Sequence, residues 1–208
     1  MDTWEKFFNF DKENSDYYMF KWPSSDILTF VIKALASLKN SASSFLYCYQ
    51  KAECVGRILA LLLLNNEEFY DCQINLVGFS LGCHVVISCL DELNKFKNRG
   101  FMINNILLMG GATIIEESEK NKWRDIFRDN VAGRIINCYS TYDDVLSYLF
   151  IMRMAKIPIG IKKLDIKDEN EEYSIVEDYD FSDVKLGHLE YRKKFEIILK
   201  RINFFSWN

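Results

Sequence analysis

Apolar positions along the 208-residue chain alternate between two spacings, one typical of helices and one of strands. Helical spacing predicts helices over residues 26–39, 45–64, 116–129, 144–155 and 189–201, and one directly after Ser80. Runs rich in β-forming residues predict strands over residues 16–22, 74–79, 105–109 and 134–140, with weaker ones over 161–166 and 173–176. Residues 106–109 are apolar throughout, as in strands buried on both faces.

This order of elements predicts the fold class. Strands that alternate with helices indicate the α/β class, with a mostly parallel sheet that carries helices on both faces. The sequence shows no internal repeat and no linker rich in glycine and serine. We therefore expect residues 1–208 to form a single domain.

Composition excludes several classes of function. The chain is 49% hydrophobic, which is enough to build a core, and its net charge of −4 without a basic stripe argues against nucleic-acid binding. Its two histidines and six cysteines do not cluster at ligand spacing, so we expect neither a metal nor another cofactor. The first ten residues lack the apolar core of a secretory signal, and the longest apolar stretch, residues 58–64, is far shorter than a membrane span of ~20 residues. These features predict a cytoplasmic protein with reduced thiols.

One motif carries candidate chemistry. Gly78, Phe79, Ser80, Leu81 and Gly82 match the Gly-x-Ser-x-Gly pattern of a nucleophile elbow, between a predicted strand and a predicted helix. The pattern has a physical cause, because a serine at a strained strand-to-helix turn needs small residues on both sides. Such a turn exposes the hydroxyl and directs the first amide of the helix, that of Leu81, toward a developing oxyanion. The structural alternative is a turn bounded by glycines.

A nucleophilic serine needs a base, and the chain has only two histidines. His84 lies four residues beyond Ser80 on the same predicted helix, so its side chain points along that helix and away from the hydroxyl. His188 precedes the last predicted helix, where a base reaches the nucleophile in a layered α/β enzyme. We predict His188 as the base; a surface histidine without a role is the alternative.

An acid should orient that histidine. Asp143 and Asp144 follow the predicted strand over residues 134–140, and the order Ser80, Asp143, His188 is the one expected for a nucleophile-elbow enzyme. Asp144 is the alternative acid, and Asp183 is a third choice. Either of the first two could instead cap the helix that follows them, or one could cap while the other orients.

Four segments together resemble a known family. They are residues 74–82, residues 131–137 with Tyr139 and Ser140, residues 187–192, and residues 17–22. These segments are similar to the C-terminal hydrolase region of the family that includes transmembrane and coiled-coil domain-containing protein 4. The domain that defines this family has no assigned function. The resemblance implies a three-layer α/β-hydrolase fold, and it implies that Ser80, Asp143 and His188 form a catalytic triad.

The resemblance also implies expectations about location and substrate. Some family members are membrane proteins, which implies membrane association or peripheral membrane contact, and the fold implies a small-molecule or lipid ester substrate. Two positions depart from the family pattern. Cys83 and His84 stand where the family has a small and a basic residue, and Asp144 stands where the family has a bulky aromatic.

A larger departure lies upstream. The family carries a strand and a glycine-containing loop that supply a mid-sheet neighbour for the elbow strand and a second oxyanion donor; this sequence shows no equivalent. The expected fold is therefore an N-terminally truncated hydrolase domain that lacks the first strands. Three arrangements stay open: the elbow strand pairs with residues 17–22, a protein partner completes the sheet or oxyanion hole, or the gene model is truncated.

Two functions follow from these patterns. The first is a serine hydrolase of the esterase or lipase type. The second is a catalytically inactive hydrolase-fold subunit that serves in interaction or assembly, for which the aromatic residues at 4–10 and 204–207 would suit docking.

Overall fold

The computed structural model describes residues 18, 41–70, 72–96, 102–170 and 172–203. Its helices are α1 (Ser41–Asn65), α2 (Leu81–Leu93), α3 (Lys120–Asn130), α4 (Ile151–Met154) and α5 (Phe195–Arg201), and a π-helical segment, Val145–Phe150, runs into α4. Its strands are β1 (Ile74–Phe79), β2 (Ile103–Met109), β3 (Ile135–Tyr139) and β4 (Glu177–Asp180). Short 3₁₀ turns connect several of these elements, among them Glu117–Glu119, Ile159–Ile161 and His188–Glu190.

The four strands form a parallel sheet in the order β1-β2-β3-β4. Because all strands run the same way, their carboxyl ends meet at one edge of the sheet, which is where open α/β sheets bind ligands. Ser80 directly follows β1, Gly110 follows β2 and Ser140 follows β3. The α/β class and the parallel sheet predicted from the sequence are confirmed.

Helices cover both faces of this sheet. One core cluster contains Ile106 and Leu108 of β2 with Leu90 of α2 and Phe127 of α3. Side chains that point the other way, including Leu107 and Met109 of β2, pack in a second cluster with Ile198 and Leu199 of α5. Alternating positions of β2 thus enter opposite cores, which explains why residues 106–109 of that strand are all apolar.

β1 lies at an edge of the sheet in the part of the chain that the structure describes. Its residues are less buried than those of β2 and β3, and Val77 is 36% exposed although its register partner Leu107 is fully buried.

Two sequence predictions were wrong. Residues 161–166 and 173–176 form no strand; the only pairing there is an isolated bridge between Lys167 and Ser174. The fourth strand is instead Glu177–Asp180, in which three of the four residues are acidic and of types depleted in strands. Tertiary contacts select it, because Arg134 makes a bidentate ion pair with Glu177, while Asp178 accepts hydrogen bonds from Asn137 of β3 and from the backbone of the preceding segment.

Other predicted bounds shift by a few residues. Helix 45–64 begins earlier, at Ser41, and helix 189–201 is a 3₁₀ turn and a further turn before α5 begins at Phe195. Helix 144–155 is π-helical over half of its length. The predicted helix 26–39, the aromatic ends at 4–10 and 204–207, and the predicted strand 16–22 apart from Tyr18 lie outside the described residues.

Candidate active site

The backbone at Ser80 is strained. Ser80 has φ 56° and ψ −123°, a left-handed region that a residue with a Cβ adopts at a cost of about 1–3 kcal/mol. Three hydrogen bonds hold it there: the Ser80 N–H donates to the Met109 carbonyl at 3.0 Å, and the Ser80 carbonyl accepts from the amides of Cys83 and Ala112 at 3.1 and 3.0 Å. The turn between β1 and α2 is therefore fixed by β2 and by the loop after it.

The two glycines that bracket this turn differ in their surroundings. A Cβ on Gly78 would lie 2.9 Å from the backbone of Cys83 and of Gly82, so the first turn of α2 would have to move away from β1. A Cβ on Gly82 would meet nothing within 4 Å. Packing among the described residues therefore requires glycine at position 78 but not at position 82.

This difference predicts opposite results for two matched substitutions. We expect Gly78→Ala to lower the free energy of unfolding by about 1–2 kcal/mol, because backbone atoms must yield to the added methyl. We expect Gly82→Ala to leave stability unchanged or raised, since alanine favours a helix over glycine. Urea unfolding of both variants and the wild type measures this, and equal losses at the two positions would contradict it.

A chain of hydrogen bonds joins the three residues singled out in the sequence. The Ser80 hydroxyl lies 2.8 Å from His188 Nε2, and His188 Nδ1 lies 2.7 Å from Asp143 Oδ2. A carboxylate can only accept, so Nδ1 carries the proton, and Nε2 has a free lone pair for the serine proton. Asp143 and His188 are buried, whereas Ser80 is partly exposed, so a substrate can reach the hydroxyl but not the other two.

Asp143 both orients the histidine and caps a helix. Its Oδ1 accepts the backbone N–H of Leu146 at 3.0 Å while Oδ2 faces His188. The sequence left open whether Asp143 or Asp144 faces the histidine and which of them caps the helix. In the structure Asp143 makes both contacts. Asp144 is exposed, and Asp183 pairs with Arg201 on the surface.

Aromatic rings pack around the imidazole. The Phe79 ring lies 5.1 Å from the His188 ring, and Tyr191 lies 5.6 Å from Phe79. Tyr191 is fully buried; burial, and next the charge of Asp143, raise the pKa of its phenol well above the usual value. The Phe79 ring packs on the imidazole, and Tyr191 packs on Phe79 from behind. Phe79 is part of the Gly-x-Ser-x-Gly motif, whereas the sequence analysis gave Tyr191 no role at the site.

Gly110 lies against the Tyr191 ring, next to Asp143. Its φ is +50°, and a Cβ there would lie 2.9 Å from the Tyr191 ring and 3.4 Å from Asp143 Oδ2. Glycine is thus required both for the backbone conformation and for the space. The signal that the sequence offers for it is the Gly110-Gly111 pair directly after the predicted strand over residues 105–109.

Leu81 is the first residue of α2, and its side chain is buried among Phe45, Ala112, Leu146 and Phe150. Backbone amides in the first turn of a helix have no acceptor within the helix and carry the positive end of its dipole. The amide of Leu81 is therefore placed, by its position in the chain, to donate to an anion that forms at Ser80.

His84 is separate from this chain of hydrogen bonds. Its ring stacks on Tyr49 of α1 at 3.8 Å, and its Nδ1 lies 2.9 Å from the Thr113 hydroxyl. Its Nε2 is buried and has no hydrogen-bond partner in the described part of the chain. Burial lowers the pKa of His84 to about 4, so the ring is neutral near pH 7. The expectation that His84 is not the base agrees with this position.

Comparison with known proteins places the chain in a family. The family model described as "Protein of unknown function (DUF726)" matches residues 10–205. The chain belongs to the DUF726 family. No solved structure matches the chain.

Curated relatives of this DUF726 chain are much longer than it is. It is 36% identical over 73% of its length to "Probable lipase MIL1" of Saccharomyces cerevisiae, of which it spans 13%. It is 29% identical over 74% of its length to "Uncharacterized membrane protein F35D11.3" of Caenorhabditis elegans, of which it spans 24%. It is 26% identical over 88% of its length to "Transmembrane and coiled-coil domain-containing protein STS1" of Oryza sativa, of which it spans 25%.

The names of two of these relatives of the DUF726 chain describe them as membrane or transmembrane proteins. Within the described residues, none of the helices has the length and hydropathy that a bilayer crossing requires. The same residues contain no group of His, Cys, Asp and Glu side chains arranged to hold a metal ion.

Proposed function

We propose that this chain is a serine hydrolase of the esterase or lipase type, built on an α/β-hydrolase fold. The observation that carries the proposal is the hydrogen-bonded series from the Ser80 hydroxyl through His188 to Asp143, with distances of 2.8 and 2.7 Å. The strained turn at Ser80 and the name of the yeast relative, a probable lipase, support the same reaction class. The parallel sheet with helices on both faces agrees with the proposed fold.

The geometry indicates how the reaction proceeds. Ser80 Oγ attacks the ester carbonyl carbon while His188 Nε2 takes the hydroxyl proton, and the carbonyl oxygen becomes an oxyanion that faces the Leu81 amide. Asp143 stabilises the imidazolium without taking its proton. Collapse of the intermediate breaks the bond to the alcohol, which leaves with the proton from His188. Water then attacks the acyl-serine by the same route and releases the acid.

The oxyanion requires more than one donor for full rate. Loss of one donor typically lowers kcat by about a hundredfold or more. We propose that the second donor comes from outside the described residues or from a protein partner that also pairs with β1, which is the edge strand among the described strands. No cofactor is needed for these steps.

A covalent probe tests the proposal directly. A fluorophosphonate phosphorylates an activated serine with loss of fluoride, so we expect the wild-type protein to be labelled and Ser80→Ala not to be. Ser147, a partly buried serine on the π-helical segment, provides the matched control, and Ser147→Ala should be labelled like the wild type. The enzyme proposal would be wrong if the wild type and Ser80→Ala were labelled equally, or if neither protein were labelled.

A second function is favoured by the edge position of β1. A hydrolase-fold subunit that has lost activity would use the exposed edge and Val77 to assemble with another chain. Absence of labelling, together with a stable oligomer in size-exclusion chromatography with light scattering, would support this function over the enzyme.

A further inference from the structure

A rigid ring bridges Ser80 and Asp143. The imidazole of His188 contacts the Ser80 hydroxyl at 2.8 Å on one side and Asp143 Oδ2 at 2.7 Å on the other. The ring fixes the separation of its two nitrogens, and hydrogen bonds weaken steeply as they lengthen or bend. Both contacts therefore require a constant spacing between the turn after β1 and the turn after β3.

The loop after β2, residues 110–113, is bonded on two sides; we call it the β2 loop. Its Ala112 amide donates to the Ser80 carbonyl at 3.0 Å, and its Gly111 carbonyl accepts from the Gly160 amide at 3.0 Å. The β2 loop is thus tied directly to the nucleophile turn and, on its other side, to the 3₁₀ turn that contains Gly160.

The turn that contains Gly160 completes a connection to the acid. The Gly160 carbonyl accepts from the Ser140 amide at 3.0 Å, and the Ser140 carbonyl accepts from the Asp143 amide at 3.2 Å. A Cβ on Gly160 would lie 2.4 Å from the Gly111 nitrogen, so this turn is also in close contact with the β2 loop. A series of backbone hydrogen bonds therefore joins the nucleophile turn to the acid turn without passing through the imidazole.

Two side chains hold the β2 loop from the helix side. Thr113 is fully buried, and its hydroxyl lies 2.9 Å from Nδ1 of His84 on α2. The His84 ring in turn stacks on Tyr49 of α1 at 3.8 Å. Burial raises the pKa of the Tyr49 phenol, and hydrogen bonds with the Thr113 side chain and the Ile114 backbone act against that rise. Thr113 thus anchors the β2 loop to both helices.

Packing alone does not account for a histidine at position 84. Its Nε2 is buried without a hydrogen-bond partner among the described residues, and an unpaired buried polar atom lowers stability. An apolar side chain of similar size would fill the same space without that cost. What the imidazole adds is its contact with the Thr113 hydroxyl, one helical turn beyond Ser80.

We propose that His84 and Thr113 are positioning residues: their hydrogen bond fixes the β2 loop, and the loop fixes the spacing between the nucleophile turn and the acid turn. They act through the backbone and not on the substrate. The inference rests on the proposed function for its kinetic readout, while the hydrogen bond between His188 and Asp143 supplies a readout without turnover.

Removal of the proposed contact tests this role. Thr113→Val deletes the hydroxyl and keeps nearly the same shape, Thr113→Ser keeps the hydroxyl, and His84→Phe deletes the imidazole but keeps a ring against Tyr49. The matched control is Ile103→Val, which removes a buried methyl group from the first residue of β2, at the end of the strand opposite the β2 loop. Hydrolysis of a soluble short-chain ester is measured well below the melting temperature of each variant.

We expect Thr113→Val and His84→Phe each to lower kcat about tenfold with KM unchanged, because a small displacement of the nucleophile relative to the base slows the chemical step. Thr113→Ser and Ile103→Val should keep the wild-type kcat. Since His84→Phe and Thr113→Val break the same bond, the double variant should be no slower than Thr113→Val alone.

Magnetic resonance gives the readout that needs no turnover. The chain has two histidines, so isotopically labelled histidine reports on His84 and His188 alone. The Nδ1 proton of His188, held by the Asp143 carboxylate, should resonate far downfield. Thr113→Val should move this resonance upfield as the hydrogen bond lengthens, whereas Ile103→Val should leave it in place.

The positioning proposal is overturned if Thr113→Val keeps either the wild-type kcat or the wild-type resonance, if Ile103→Val loses as much, or if Thr113→Ser is as slow as Thr113→Val. A double variant about a hundredfold slower than the wild type would also overturn it, because the two side chains would then act separately. If the wild type shows neither labelling nor turnover, the proposed function fails, and the resonance alone decides whether these residues position the histidine and its acid.

Discussion

Asp143→Asn should lower kcat/KM for a soluble ester by about ten-thousandfold, whereas Asp144→Asn should change it by no more than about twofold. The carboxylate of Asp143 accepts from His188 Nδ1, which leaves Nε2 unprotonated toward Ser80. An amide in its place can present its N–H₂ group to Nδ1, which favours the tautomer with the proton on Nε2. That tautomer cannot accept the serine proton.

Loss of folding should not account for the difference in activity between the two variants. Asparagine keeps an oxygen that can accept the Leu146 amide, so the helix cap survives. Asp144 lies one residue away but is exposed, so its replacement controls for the loss of a carboxylate at this position in the chain. Initial rates at fixed pH and thermal melts of both variants suffice. Equal activities of the two variants would contradict the assignment of Asp143 as the orienting acid.

Stability should fall by about 3 kcal/mol more between pH 7 and pH 4 in the wild type than in His84→Phe. Burial lowers the pKa of His84 from 6.5 to about 4 in the folded protein. The unfolded chain therefore binds a proton as pH drops through 6.5, while the folded chain stays unprotonated until about pH 4. Protonation of the unfolded state alone favours unfolding throughout this window.

The variant isolates this contribution. Phenylalanine can keep the stack on Tyr49 but does not titrate, and the lost hydrogen bond to Thr113 costs about 1 kcal/mol at every pH. Carboxylates that titrate in the same window are common to both proteins and cancel in the difference. Urea unfolding at several pH values gives the two slopes. If the free energy of unfolding had the same pH dependence in both proteins, the pKa of His84 would not be lowered in the folded state, and this prediction would be wrong.

Much of the candidate site could be predicted from local pattern. Gly78, Ser80 and Gly82 form a short motif whose strand and helix could be identified from neighbouring residues, and β1 has the predicted bounds. With two histidines in the chain, the choice of base was narrow, and the spacing of His84 along the helix argued against it. The catalytic roles of Ser80, Asp143 and His188 stay predictions until labelling of Ser80 is tested.

Other features depend on contacts that local pattern does not contain. Glu177–Asp180 is a strand because Asn137 of β3, and Arg134 just before β3, bind its carboxylates, and an acidic run gives no such signal by itself. The choice between Asp143 and Asp144 likewise required the position of a histidine 45 residues away.

The sequence by itself determined the α/β class, the parallel sheet, the turn at Ser80 and a short set of partners for it, because each of these follows from periodicity or from residue types at fixed spacing. Only the tertiary structure decided which aspartate faces His188, why Gly110 must be glycine and which segment forms the fourth strand. Those features arise where loops from the ends of different strands meet, and the distances between such loops are set by the packing of the whole sheet.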